Sequence, residues 1–129
     1  MAYTNGNRYN NEPSNGGEAQ MYFREIQTPA YGVSVKITKN DPRAEITKIL
    51  FAKLTGDLTL TADVSIPFDG DEMIVKMPVD LSTRTVTFST GFTVVGDATL
   101  ALTTGTVGVV CFMFDAQTQT WVEQSRAIN

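Results

Sequence analysis

The stretch DLTLTADVSIPF, residues 57–68, alternates apolar and polar side chains without a break. Leu58, Leu60, Ala62, Val64, Ile66 and Phe68 fall on one side, and Thr59, Thr61, Asp63 and Ser65 on the other. A period of two is the pleat of a β-strand; a helix would scatter these residues around its axis. Pro67 lacks the N–H that a ladder needs, so pairing ends near it or the strand lies at an edge. Asp69-Gly70-Asp71 then signals a hairpin turn, and residues 73–77 (MIVKM) read as the returning strand.

The same alternation spreads outward in both directions. Residues 31–38 (YGVSVKIT) set Val33, Val35 and Ile37 against Ser34, Lys36 and Thr38. Residues 84–89 (RTVTFS) turn Val86 and Phe88 inward. A short strand over 92–95 lies between Gly91 and Gly96, TLALT (99–103) follows, and Gly105 turns the chain. Residues 107–114 (VGVVCFMF) are apolar on both faces. That pattern fits a central strand covered on both sides, or a strand whose Val110, Phe112 and Phe114 make an oligomer contact. A polar turn over 115–120 leads to a last strand from Trp121.

Residues 40–56 (NDPRAEITKILFAKLTG) support two readings. Asp41 before Pro42 resembles a helix cap with proline at the first helical position, and Ile46, Ile49, Leu50 and Leu54 share a helical face. Ile, Thr and Phe also favour strands, so residues 42–54 are one short helix or one more strand. Short strands separated by Gly, Pro and Asp turns make the chain mainly β, a β-sandwich or jelly-roll-like single domain over residues 29–129.

Residues 1–28 differ in kind. MAYTNGNRYNNEPSNGGEAQ offers turn formers and no apolar period, and reads as disordered on its own. Three of the chain's four tyrosines lie in residues 1–28, with Tyr31 just beyond. Tyr3, Arg8, Tyr9, Tyr22, Phe23 and Arg24 are the side-chain types that anchor an extended segment on a partner. Residues 1–28 are therefore expected to be an attachment arm.

Composition narrows the chemistry. The chain has 129 residues, a net charge of −4 and no histidine. Its ten basic residues occur in no run that would track phosphates, so no nucleic-acid partner is expected. No apolar stretch approaches the ~20 residues of a membrane span, and no basic segment followed by an apolar run suggests a secretory signal. Without histidine there is no imidazole relay or imidazole metal site, and no catalytic residue or cofactor is expected. Asp69, Asp71 and Glu72 are the one candidate cation cluster, but acidic residues serve exposed turns for their own reasons and the spacing lacks the rest of a calcium loop. No metal site is assigned. Cys111, the only cysteine, reads as a buried thiol, and Trp121 as packing rather than a sugar platform.

Residues 85–126, TVTFSTGFTVVGDATLALTTGTVGVVCFMFDAQTQTWVEQSR, resemble β-rich structural proteins of tailed bacteriophages. The Thr-Val-Thr-Phe strand, the Gly-Phe pair, the Leu/Thr strand, the apolar strand ending in Phe-Asp and the closing Trp-Val-Glu-x-Ser-Arg carry the likeness. It is similar to terminal modules of head-fibre, decoration and tail-appendage proteins. The resemblance implies a non-enzymatic virion protein, a decoration or head-fibre subunit held to the capsid by its arm. Its partners would be the major capsid protein or other virion proteins, and it would form a homo-oligomer. A tail or baseplate appendage binding a host surface, and a carbohydrate-binding β-sandwich module, are the alternatives.

Overall fold

The computed structural model describes residues 23–129 in full and, before them, only the backbone of two short strands, β1 (Ala2–Gly6) and β2 (Arg8–Asn10), which pair antiparallel. The side chains of Tyr3, Arg8 and Tyr9, and all of Tyr22, lie outside the described residues.

The rest is built from β3 (Arg24–Gln27), β4 (Ser34–Ile37), β5 (Ile46–Leu50), β6 (Leu58–Ala62), β7 (Glu72–Pro78), β8 (Arg84–Phe88), β9 (Phe92–Thr93), β10 (Thr99–Leu102), β11 (Val107–Asp115) and β12 (Thr120–Ile128). These form a six-stranded sheet in the order β3-β5-β7-β11-β12-β9 and a four-stranded sheet in the order β10-β8-β6-β4. One core lies between them, with Leu58, Leu60, Val86 and Phe88 from the smaller sheet and Val75, Met77, Phe112 and Trp121 from the larger. The chain is mainly β, and the described residues contain no helix.

The winding differs from a jelly roll. From β3 to β8 successive strands alternate between the two sheets, and within each sheet they pair in parallel: β3 with β5, β5 with β7, β4 with β6, β6 with β8. Register partners such as Arg24 and Ile46, or Leu58 and Val86, lie roughly 22 to 28 residues apart, the length of one solenoid coil. Like residues stack on like: Leu58 on Val86, Leu60 on Phe88, and Thr59 on Thr87 facing out. The chain then closes antiparallel. β10 returns along β8, and the β11–β12 hairpin continues the larger sheet beside β7.

This winding corrects two expectations and decides a third that the sequence left open. Asp69-Gly70-Asp71 is a corner, not a hairpin, because β6 and β7 belong to different sheets. Gly70 still supplies the positive φ, 88°, that such a turn needs. The strand over 57–68 stops at Ala62, since Asp63 takes the N–H of Ser65 and bends the chain. Residues 42–54 are not helical: Asp41 does accept the N–H of Arg43, but the cap closes a single turn and β5 follows, held on both sides by β3 and β7. β5 alternates half-buried Ile46, Lys48 and Leu50 with buried Thr47 and Ile49, the period of a strand.

The boundary between arm and body also moves. Arg24–Gln27 is an edge strand of the larger sheet, and the carbonyl of Phe23 accepts from Glu45 and Ile46. Phe23 lies under the Arg43 guanidinium, 4.3 Å from its ring centroid. Residues 23–28 therefore belong to the body, and a cut after residue 28 would strip a strand from it.

Candidate interaction surfaces

Four regions of the body could meet a partner: the outer face of each sheet, and the two ends of the coil stack. Burial, charge and hydrogen bonding differ sharply among them.

The first coil closes one end. In register with buried Thr47 and Ile49, the side chains of Glu25 and Gln27 point inward under the core. Glu25 accepts the N–H groups of Asn40 and Asp41 at 3.0–3.1 Å, and Gln27 Nε2 donates to the carbonyl of Thr38 at 2.6 Å. Polar groups turned inward at an edge strand resist the addition of another strand.

The opposite end closes by the same means. Glu123 on β12 points inward, and Arg126 grips both its carboxylate oxygens. Arg126 also donates to the carbonyls of Asp97 and Thr99, and Val95 N–H donates to Glu123, so the cluster joins β12 to the segment entering β10. The two bonds from Arg126 hold the Glu123 carboxyl below its ordinary value of 4.5, against the opposing effect of burial. A carboxyl depressed in the folded state stabilises fully above its unfolded value and loses that contribution as pH falls through the folded value. Glu123→Gln is therefore expected to flatten the loss of stability as pH falls below about 5, seen as urea midpoints that move less than those of the native chain.

A third polar cluster is internal. Lys39 is 1% exposed, and its Nζ lies 2.6 Å from Asp71 Oδ2 and 3.0 Å from the carbonyl of Pro42. Asp71 Oδ2 also accepts the N–H of Phe68 at 2.8 Å. The pair binds the corner after β4 to the corner before β7. It also occupies one member of the acidic cluster read from the sequence. Asp69 accepts the N–H of Ala116, and Glu72 stands exposed on the outer face of β7, so the three carboxylates serve separate purposes.

The outer face of the smaller sheet is hydroxylated. Ser34, Thr59, Thr87 and Thr99 align in one row across all four strands, with Lys36 beside Thr61, and Thr85 beside Ala101. Threonine there satisfies β propensity and cross-strand pairing, and only Lys36 carries charge.

The outer face of the larger sheet is apolar at its centre. One row reads Arg24, Ile46, Glu72, Met113, Val122; the next Ile26, Lys48, Ile74, Cys111, Ser125; the third Leu50, Lys76, Val109, Ala127. Ile26 is 62% exposed and Met113 39%. Cys111, expected to be buried, sits half-exposed in the middle of this face. The expected oligomer contacts Val110, Phe112 and Phe114 lie on the other side of β11, buried in the core, and so are not offered to a partner. Sequence marked β11 as apolar on both faces, but which face is covered depends on the sheet packed against it.

Trp121 is fully buried, with its ring 5.3 Å from that of Phe114, so it presents no face to a sugar. Its Nε1 has no hydrogen-bond partner among the described residues. Among those residues no group of three metal-ligating side chains gathers. No protein-family model matches the sequence, and the comparison with curated proteins finds no relative.

Proposed function

We propose that the chain is a structural virion protein of a tailed phage, a decoration or head-fibre subunit attached through its N-terminal segment. One observation carries the reading most strongly: the described residues from Phe23 onward form a continuous core between two sheets, and the Tyr- and Arg-bearing segment precedes their first coil. Among the described residues, the buried core side chains lie between Ile37 and Trp121. A polar segment of turn formers dotted with Tyr and Arg suits a partner contact, and ordering on a lattice is a general route to attachment. Many copies would multiply a weak contact by avidity. The resemblance of residues 85–126 to phage head-fibre and appendage modules supports the same assignment. A closed β-body with polar ends also suits a protein that stands as a unit on a particle.

The test uses particles assembled without this protein, mixed with the full chain or with a chain starting at Phe23. The full chain should co-sediment at a fixed ratio, and the shorter chain should remain in the supernatant with an unchanged melting curve. Equal binding by both would remove the segment's role; binding by neither would remove the virion assignment. A tail or baseplate position would show as density at the tail rather than on the head.

A further inference from the structure

We propose that the outer face of the six-stranded sheet is a self-complementary surface that pairs with a second copy of this chain, the two sheets stacked with their strands antiparallel. The inference deepens the self-association in the reading above and rests on it.

The argument starts from β7. Glu72 and Lys76 are its exposed charged residues on this face, and half-buried Ile74 lies midway between them. Four residues of strand separate the charges by about 13 Å. Beside Ile74 lies Cys111, and beside Glu72 and Lys76 lie Met113 and Val109. Opposite charges thus flank an apolar centre at equal distances along one strand.

A two-fold axis in the contact plane, running across the strands through Ile74 and Cys111, uses that symmetry. It sets Glu72 against the partner's Lys76 and Lys76 against the partner's Glu72. Met113 meets the partner's Val109, and Ile74 and Cys111 meet their own copies. An isologous contact requires this reciprocity, in which the first residue meets the second and the second meets the first. A second copy presents the matching pattern by symmetry alone, with no further surface required.

The other surfaces of the body are poorer. Both coil ends turn polar groups inward, Glu25 and Gln27 at one and Glu123 with Arg126 at the other. The smaller sheet offers threonine rows without a balanced charge pair. On the proposed face Lys48 lies in the central row, one strand from Ile74, near its own copy. Its long stem lets the ammonium swing to solvent.

The test is sedimentation equilibrium of the full chain with Glu72→Lys, Lys76→Glu and the double variant. Wild type should dimerise, each single variant should weaken the dimer by about tenfold or more, and the double variant should recover it because both pairs are restored in reverse. A short bis-maleimide spacer, which spans the gap between stacked sheets that a disulfide cannot, should join two chains through Cys111 in wild type and much less in either single variant. A dimer indifferent to both single variants, or a double variant no better than the singles, would overturn this face while leaving self-association standing. A chain monomeric to millimolar concentration would overturn both.

Discussion

Asp71→Ala is expected to destabilise the protein by about 3–5 kcal/mol, measured by urea unfolding. The substitution leaves the Lys39 ammonium buried without its counter-ion and the N–H of Phe68 without its acceptor. A buried charge stripped of its partner costs far more than a surface ion pair contributes. The pair itself is a different matter, because desolvating both groups offsets most of their attraction. Replacing both, Lys39→Met with Asp71→Leu, is expected to recover most of the loss. A single-variant loss under about 1 kcal/mol would mean that water reaches the site and the pair behaves as an exposed one.

Gly91→Ala is expected to cost about 3 kcal/mol or more, and Gly70→Ala only about 1 kcal/mol. The two glycines share nearly the same φ, 94° and 88°, so the backbone penalty is common to both. Their surroundings differ. A Cβ on Gly91 would lie 2.4 Å from the carbonyl oxygen of Ala62, whereas one on Gly70 would meet nothing within 4 Å. Gly91 sits where the chain leaves β8 for β9, and its carbonyl accepts the N–H of Trp121. The clash cannot relax without shifting either β6 or the hydrogen bond that seats β12. Thermal denaturation of the two variants isolates this close approach from the shared strain; equal losses would assign the whole effect to φ.

The two variants probe the level at which sequence reading stops. Period-two alternation located β4, β6 and β8, because half-buried strands write their faces into the chain, and a continuous apolar run located β11. It did not reveal the winding. Asp-Gly and Gly corners look the same whether the chain turns back beside itself or crosses to another sheet. The distinguishing signal is spacing: Leu58-Thr59-Leu60 stacks beneath Val86-Thr87-Phe88, a degenerate repeat one coil apart. Residues 42–54 stayed ambiguous for a related reason. Asp41 and Pro42 carry true capping chemistry, but one turn satisfies it, and parallel ladders on both sides of β5 outweigh the helical face.

Lys39 and Glu25 were least legible. Each reads as an ordinary solvated charge, and each is fixed by groups distant in sequence: Asp71 lies 32 residues from Lys39, and Asn40 lies 15 from Glu25. Cys111 was misplaced for the same reason, since local sequence marks a strand as doubly apolar without saying which side another sheet will cover. The polar closure of both coil ends emerges only once the coils are stacked. Among the described residues, that closure leaves the two outer sheet faces as the broad open surfaces.

The measurement that bears most directly on the account is quantitative mass spectrometry of gradient-purified, nuclease-treated particles produced from the genome that encodes the chain. The account predicts the protein at a fixed molar ratio to the major capsid protein, retained through successive gradients. Particles that carry no copies while the infected lysate contains the protein would contradict it.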